Sequence, residues 1–160
     1  MLELGAGLGL PGRDLAARGV ASSVTLSDSR EKILEQLALG TDARAAKLNW
    51  HEAADVAEAA MAGYDIVIAS DVAYYQPDVA PLASALRSIH ARVSIIVAPM
   101  HRDAARALRD ELKAVGSHCV EHRVTLVSSG ADDWHGRRHP SSTEVSAMPA
   151  LSYRVLMVTW

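Results

Sequence analysis

The sequence predicts a doubly wound α/β fold with a mostly parallel β-sheet. Short apolar runs rich in branched side chains alternate with longer segments in which apolar residues recur at helical spacing. Glycine or polar residues separate most of these segments, as is typical where helices and strands end. With 160 residues, 49% of them hydrophobic, the chain is large enough for one core, so we expect a single domain over residues 1–160.

Seven short apolar runs are predicted as strands. The first runs directly into glycine, as at the end of a buried strand. The fifth is almost continuously apolar, as expected for a strand that is buried on both faces. In chain order, the predicted strands are residues 1–4, 24–26, 45–48, 64–69, 93–98, 120–127 and 153–159.

Five segments between these strands are predicted as helices. Pro11 suits the first turn of the first helix. Ser29 and Asp78 are expected to cap the second and fourth helices with their side-chain oxygens. Glycine directly follows four of the five helices, where it favours termination. The predicted helices are residues 11–18, 30–39 and 51–62, the segment after residue 78 with apolar positions 82, 85, 86 and 89, and residues 103–115.

The order of these elements predicts the topology. Strands that alternate with helices favour a parallel sheet covered on both faces. The last two strands have no clear helix between them, so we expect an antiparallel pair there. The polar stretch 128–149 between them is interpreted as a surface loop or insertion. Because the first strand begins at residue 1, we expect either a fragment or a domain that lacks its usual N-terminal element.

Charge and composition argue against several classes of protein. The net charge of −3 disfavours a protein that binds duplex nucleic acid, and the short basic run 137–139 fits a solvated loop. No apolar run approaches the ~20 residues that cross a bilayer, and no secretory leader is seen. We therefore expect a soluble protein of the cytoplasm or nucleus. Its single cysteine, Cys119, is expected to be a reduced, buried thiol.

The histidines do not suggest a metal site. His135 and His139 are four residues apart, but they lie in the polar loop rather than on a predicted helix. No cysteine or acidic cluster completes a ligand set around them. His101 follows the fifth strand and is interpreted as a surface histidine. The sequence therefore predicts no metal.

The glycine-rich turn after the first strand contains the first candidate binding residues, Glu3, Gly5, Ala6, Gly7 and Gly9. Ligands of open α/β sheets bind at the carboxyl ends of the strands. Glycine there permits positive φ angles and lets a ligand lie against bare backbone. The following helix adds amide donors and the positive end of its dipole.

Two registers of this turn imply different ligands. Residues 7–12 match the dinucleotide pattern G-x-G-x-x-G, but they begin two residues after the strand and place Pro11 where an amide donor is wanted. The register that begins at Glu3 starts at the strand and supplies a carboxylate. A carboxylate suits a ligand with an amino group and repels a pyrophosphate. This register favours S-adenosylmethionine over NAD, while a tight turn without a ligand is the structural alternative.

Polar residues at the ends of the next strands extend this candidate site. Asp28 ends the second strand, about 20 residues after the turn, where an acid reaches ribose hydroxyls. Its alternative role is a helix N-terminal acid. Asn49 and Trp50 end the third strand and suit the edge and face of adenine, or else ordinary packing. Ser70 and Asp71 end the fourth strand in the same cleft.

Asp71 and Tyr74 are the candidate catalytic residues. Asp71 is placed to hold an incoming amine, and Tyr74 to line the channel through which it enters. The alternative interpretation is a loop acid beside a half-buried tyrosine.

Together these segments resemble the lysine methyltransferase group of seven-β-strand (class I) enzymes, the METTL21-like or methyltransferase-16 family. The family's first motif is similar to residues 3–12, and its ribose-binding acid matches Asp28. Its Leu-Asp-Trp segment matches residues 48–50, with Asn49 in place of Asp. Its Asp-x-x-Tyr signature matches residues 71–74 and is the most specific of these matches.

The resemblance implies a Rossmann-like sheet of order 3-2-1-4-5-7-6 with strand 7 antiparallel. It also implies S-adenosylmethionine as cofactor and methyl transfer to a lysine of a protein substrate. The N-terminal segment in which family members carry a cofactor-covering Trp is absent from this sequence.

Two other functions stay open at this stage. An NAD-dependent oxidoreductase would use the later glycine register and would usually have a substrate domain, for which this chain has no room. A truncated, non-catalytic methyltransferase-like module would bind a partner without chemistry. The presence of both Asp71 and Tyr74 argues against that module.

Overall fold

The computed structural model describes residues 1–39, 43–126 and 151–160, and a seven-stranded sheet runs through them. Every strand begins and ends within two residues of its predicted bounds. The strands are β1 (Leu2–Leu4), β2 (Thr25–Asp28), β3 (Arg44–Lys47), β4 (Ile66–Ser70), β5 (Val93–Pro99), β6 (His118–Leu126) and β7 (Leu151–Thr159).

Five helices connect the strands, in the predicted order. A short 3-10 turn, Gln76–Asp78, leads into the fourth of them. The helices are α1 (Leu10–Ala17), α2 (Glu31–Leu37), α3 (Ala53–Ala62), α4 (Val79–Ile89) and α5 (Asp103–Ala114).

The sheet has the order β3-β2-β1-β4-β5-β7-β6, which confirms the predicted fold class and topology. The pairs among β1 to β5 are parallel. Strand β7 runs antiparallel to both β5 and β6, which confirms the antiparallel pair expected of the last two strands. Strand β1 lies between β2 and β4, so the chain reverses its winding direction at β1, where α/β sheets bind ligands.

Two predicted helix caps are wrong. Arg30, rather than Ser29, is the N-cap residue of α2, and no side chain caps this helix. The carboxylate of Asp28 instead accepts the backbone N–H of Arg30 at 3.1 Å. Asp78 does occupy the N-cap position of α4, but its side chain makes no capping bond. Its Oδ1 lies 2.7 Å from Nε2 of His51, so the carboxylate is used across the cleft rather than along the helix.

Some predictions fall outside the described residues. These are the polar loop 128–149 with its histidines 135 and 139 and its basic run 137–139, and the glycine at position 40. Within the described residues there is no cluster of three metal-ligating side chains. None of the helices there is long and apolar enough to cross a membrane.

The core consists of two hydrophobic clusters on opposite faces of the sheet. Leu2 and Leu4 of β1 belong to the larger cluster, which also contains the buried faces of α4 and α5. The smaller cluster surrounds Leu26 and Leu37, beside α1 and α2. Cys119 is a free thiol buried in the larger cluster, as predicted.

Candidate functional site

A cleft of about 230 Å³ opens at the carboxyl ends of β1 to β4. Six of the predicted site residues line it, although they are distant from one another in sequence. They come together because their four strands are neighbours and end at the same edge of the sheet. These residues are Gly5, Asp28, Asn49, Trp50, Asp71 and Tyr74.

The other five predicted residues lie around the cleft without lining it. Ala6, Gly7 and Gly9 belong to the turn between β1 and α1. Ser70 is the exposed last residue of β4. Glu3 lies in β1 behind the turn, as described below. The contribution of each of these residues to binding stays a prediction.

The glycine turn has the backbone geometry that its sequence predicts. Gly5, Gly7 and Gly9 have φ angles of +58°, +54° and +69°, which residues with a Cβ rarely adopt. The N–H of Ala6 donates to the carbonyl of Ser27 at 2.7 Å, which ties the turn to β2. The loop is therefore held against the neighbouring strand rather than standing free.

Space around the glycines differs from one position to the next. A Cβ on Gly5 would lie 2.8 Å from Cγ1 of Val72 and 3.6 Å from the ring of Trp50. A Cβ on Gly7 would meet nothing within 4 Å. Gly5 therefore permits close packing at the floor of the cleft, whereas Gly7 leaves open space over its backbone.

Glu3 supports the turn from behind. Its side chain alternates with those of Leu2 and Leu4, so it faces α1 and is only 2% exposed. Oε2 accepts the N–H of Gly12 at 2.8 Å, which satisfies one of the free amides in the first turn of α1. Burial raises the pKa of the Glu3 carboxyl above its ordinary value, although the hydrogen bond from Gly12 opposes this effect.

Asp28 joins the turn to the end of β2. Its Oδ2 accepts the N–H of Gly7 at 3.1 Å, and its Oδ1 accepts Nε–H of Arg30 at 3.1 Å. Burial alone would raise the pKa of this carboxyl, but hydrogen bonds from Arg30 and Gly7 outweigh burial and lower it. Asp28 therefore stays ionised and presents a fixed acceptor to the cleft.

Asn49 and Trp50 form the wall of the cleft that follows β3. The side-chain oxygen of Asn49 accepts the N–H of His51 at 3.1 Å, which stabilises a local turn. The backbone N–H of Asn49 donates to Oδ2 of Asp55 at 3.0 Å. Trp50 is half-buried and packs against the larger core cluster while part of its ring faces the cleft. This wall offers an aromatic face and amide groups in a fixed orientation.

Asp71 has an unusual backbone and a charged partner. Its φ is +51°, a conformation that aspartate tolerates better than most residues. Its N–H donates to the carbonyl of Val97 at 2.8 Å, which fixes the chain just after β4. Both carboxylate oxygens accept hydrogen bonds from Arg102, at 3.1 Å each. Tyr74, 61% exposed, stands at the mouth of the cleft three residues later.

Sequence reasoning missed four polar residues of this site. Arg30, His51 and Asp78 line the cleft, and Arg102 holds Asp71 from outside it. A signal for Arg102 was available, because it follows β5 as Asp71 follows β4, and these strands were predicted to be neighbours. His51 and Asp78 are 27 residues apart and pair through the folded chain, so no spacing rule would have joined them.

The arrangement fits the predicted cofactor. The bare backbone of Gly5 and the open space over Gly7 allow a ligand to lie against the turn. The ionised carboxylate of Asp28 suits ribose hydroxyls, and the ring of Trp50 suits a flat base. An acid and a phenol at the mouth, Asp71 and Tyr74, leave polar groups for a second substrate.

Comparison with protein families and relatives agrees with this description. Residues 1–110 match the family described as lysine methyltransferase. The chain is also 25% identical to the calmodulin-lysine N-methyltransferase of Arabidopsis thaliana. That match covers 75% of this chain and 43% of the relative, so the chain spans less than half of the relative's length.

Solved structures share the fold at low identity. An S-adenosylmethionine-dependent methyltransferase from Anabaena variabilis aligns over 99% of this chain and 75% of its own, with a TM-score of 0.68 and 10% identity. One from Mesorhizobium loti aligns over 98% and 89%, with a TM-score of 0.62 and 15% identity. The [4+2]-cyclase SpnF aligns over 99% and 73%, with a TM-score of 0.66 and 13% identity. The last example shows that this fold also serves other reactions.

The family match therefore carries more weight than the fold. It includes the glycine turn, the ends of β2, β3 and β4, and the whole set of residues that line the cleft. The chain belongs to the lysine methyltransferase family.

Proposed function

We propose that this chain transfers a methyl group to a lysine side chain of a protein substrate. The observation that carries the proposal is the position of Asp71 and Tyr74 at the open mouth of the cleft, beyond the glycine turn and Asp28. An amine that enters there meets a carboxylate and a phenol next to the expected position of the cofactor. The calmodulin-lysine N-methyltransferase of Arabidopsis supports lysine as the class of target.

We assign the cofactor-binding roles residue by residue. In this proposal Gly5, Ala6, Gly7 and Gly9 supply the backbone surface against which the methionine part lies. Glu3 acts as a positioning residue, because its carboxylate holds the first turn of α1 in place.

The remaining cleft residues complete this assignment. Asp28 accepts hydrogen bonds from the ribose hydroxyls, while Asn49 and Trp50 contact adenine. Ser70 borders the site at the end of β4.

Methyl transfer from a sulfonium is a direct displacement, so the bound cofactor supplies an activated methyl group without a metal or a covalent enzyme intermediate. The chain has to align the amine and keep water out. A lysine amine has to lose its proton first, because an ammonium has no lone pair. Asp71 orients the amine by accepting its hydrogen bonds, and Tyr74 lines its approach.

The rim of the cleft supports a macromolecular substrate. Tyr74 lines the mouth of the cleft, and both Tyr74 and its neighbour in sequence, Tyr75, are exposed, at 61% and 59%. Tyrosine is enriched where proteins contact one another, since its ring buries a large area and its hydroxyl tolerates water. We also propose that residues 1–160 act as one domain, since the first and the last strand of the chain, β1 and β7, belong to the same sheet.

A transfer assay tests the proposal. Purified chain is incubated with methyl-labelled S-adenosylmethionine and either unmethylated calmodulin or an unmethylated lysate, and labelled lysine is identified by mass spectrometry. Asp71→Asn is expected to reduce transfer by about 100-fold, because the amine loses its orientation. Asp103→Asn is the matched control, since this nearby carboxylate is almost fully exposed and does not line the cleft.

Calorimetry separates the proposal from its rivals. Binding of S-adenosylmethionine with no binding of NAD is expected. Cofactor binding without any labelled lysine would contradict the lysine assignment. Binding of neither ligand would favour a non-catalytic module, and full activity of Asp71→Asn would remove Asp71 from the mechanism.

A further inference from the structure

The contact between Arg102 and Asp71 has the geometry of a specific pair. Nε and one terminal nitrogen of the guanidinium each donate to a different carboxylate oxygen, both at 3.1 Å. This fork occupies both oxygens from one side, in the arrangement that Arg prefers with carboxylates. The side chains are 37% and 41% exposed, so a solute can reach the pair.

The backbone of Arg102 is fixed independently of Asp71. Its N–H donates to the carbonyl of Pro99 at 3.1 Å, and its own carbonyl accepts the N–H of Ala105 at 3.2 Å. A guanidinium nitrogen of Arg154, a side chain that is almost completely buried, lies 3.5 Å from that carbonyl. Arg102 is therefore placed next to Asp71 by the junction of β5 and α5, rather than by a flexible loop.

The other carboxylates of the cleft have cationic or titratable partners of their own. Asp28 is paired with Arg30, and Asp78 with His51. Each carboxylate that lines the cleft therefore already has a neighbouring group, which would compete with an incoming ammonium ion for it. The one that an incoming amine would meet, Asp71, is paired with a permanently charged guanidinium.

This pairing matters for the chemistry of an amine. A free carboxylate next to an amine stabilises the ammonium form and raises the pKa of that amine. The ammonium has no lone pair and does not attack a methyl group. A carboxylate that is already paired with Arg still accepts a hydrogen bond from a neutral amine, but it attracts an ammonium less strongly.

We propose that Arg102 is a positioning and specificity-determining residue that competes with ammonium ions for Asp71, so that the site admits the substrate amine in its neutral form. The proposal rests on the proposed function, in which Asp71 receives that amine. It concerns a residue outside the lining of the cleft, which acts through Asp71.

A binding experiment with small probes tests this proposal without methyl transfer. n-Butylamine at pH 7 is almost entirely ammonium, because its pKa is close to the ~10.4 of lysine. n-Butanol has a similar shape without the charge. Each probe is titrated into the isotope-labelled chain of 160 residues, and the amide signals of Asp71 and Val72 are followed by NMR.

The expected result is specific for charge. Arg102→Gln should bind n-butylammonium about 3- to 5-fold more tightly than the unchanged chain, because an exposed pair of this kind competes only modestly. Its affinity for n-butanol should stay the same. Arg102→Lys keeps the charge but loses the two-pronged hydrogen bond, so its affinity for n-butylammonium should lie between those of the unchanged chain and Arg102→Gln. Asp71→Asn, added to Arg102→Gln, should abolish the gain in affinity.

Equal or weaker binding of n-butylammonium by Arg102→Gln would overturn the proposal. An equal gain for n-butanol would also overturn it, because that result would indicate a looser cleft rather than removal of a competing cation. If Arg102→Gln does not fold, Arg102→Met is measured in its place with the same expected outcome. Failure to methylate any lysine would count against the proposed function only, because the probes report on Asp71 directly.

Discussion

The parallel half of the sheet and its antiparallel end place their charged groups differently. Strands β1 to β4 are short, with three to five residues each, and their polar side chains meet in a solvent-filled cleft. Strands β6 and β7 have nine residues each, and their charged cluster is largely enclosed. The difference indicates that one half is arranged to bind a ligand and the other to support it.

Two glutamates make this contrast concrete. Glu3, in the parallel half, is buried, accepts one backbone N–H and pairs with no cation of residues 1–39, 43–126 and 151–160. Glu121, at the antiparallel end, lies 2.8 Å from Arg109 and 3.2 Å from the buried Arg154. Burial raises the pKa of Glu3. For Glu121 burial acts in the same direction, but hydrogen bonds from Arg154 and Arg109 outweigh it and lower the pKa.

The largest expected effect is in the parallel half, at Gly5→Ala. The new Cβ would lie 2.8 Å from Val72 at a φ of +58°, so the cost of overpacking adds to that of the left-handed conformation. We expect a loss of about 4 kcal/mol in the free energy of unfolding, measured by chemical denaturation. Gly19→Ala is the control, since its φ is +64° but nothing lies within 4 Å of the added Cβ, and it should lose only about 1 kcal/mol. Equal losses would show that packing below the turn is unimportant.

Glu121→Gln tests the antiparallel end. Removal of the carboxylate leaves the buried Arg154 without its partner, and we expect a loss of about 3 kcal/mol in the free energy of unfolding. Asp110→Asn is the control, because Asp110 is exposed and its ion pair in the described part of the chain is with Arg109. It should lose less than about 0.5 kcal/mol. The affinity for S-adenosylmethionine should not change in the folded Glu121→Gln chain. A large loss of affinity would contradict the conclusion that the parallel half binds the ligand and the antiparallel end only supports it.

Asp28→Asn should affect the affinity for the cofactor, which Glu121→Gln leaves unchanged. The charge that accepts hydrogen bonds at the cleft is lost while the shape is kept, so we expect S-adenosylmethionine to bind about 10-fold more weakly. Calorimetry measures this change, with Asp14→Asn as an exposed control outside the cleft. Unchanged affinity would contradict the ribose-binding role of Asp28.

The smallest expected effect is a pair of opposite pH dependences. The pKa of Glu3 is raised above 4.5 in the folded state. Between pH 4.5 and this raised pKa, Glu3 is protonated in the folded chain but ionised in the unfolded chain. The stability relative to Glu3→Gln therefore falls as the pH rises through this window. The pKa of Glu121 is lowered in the folded state. Its contribution to stability, relative to Glu121→Gln, is therefore present above pH 4.5 and is lost as the pH falls from 4.5 through the lowered pKa. Denaturation midpoints measured above pH 4.5 for Glu3 and below pH 4.5 for Glu121 should show slopes of opposite sign. Two slopes of the same sign would contradict the contrast between the glutamates.

Local patterns were sufficient to predict the secondary structure, whereas the order of the strands was implied by the family resemblance. Apolar runs and the glycines that end the helices depend on residues close in sequence, and the alternation of elements predicts a mostly parallel sheet with an antiparallel end. Side-chain caps were less predictable, because competition decides them. Ser29 was expected to cap α2, but Asp28 takes the N–H of Arg30, and Asp78 bonds to His51 instead of its own helix.

The candidate site was predictable where it depends on strand ends and not where it depends on contacts between elements. Asp28 and Asp71 were found because they lie where strands end. Their cationic partners were missed, since the reach of an Arg side chain depends on the folded backbone. For Glu3, the alternation of side chains in β1 already indicates that it shares no face with Leu2 and Leu4, and this signal points to α1.

The placement of β7 between β5 and β6 has a consequence for synthesis on the ribosome. A nascent chain that has emerged only as far as β6 holds two strands without the neighbour that later separates them. The edge of β5 and the whole of β6 stay unpaired until residues Leu151–Thr159 have been synthesised. A slow step of translation between β6 and β7 would therefore prolong a state in which these strand edges can associate with other chains. The pairing of the sheet is therefore completed only after those nine residues have been synthesised.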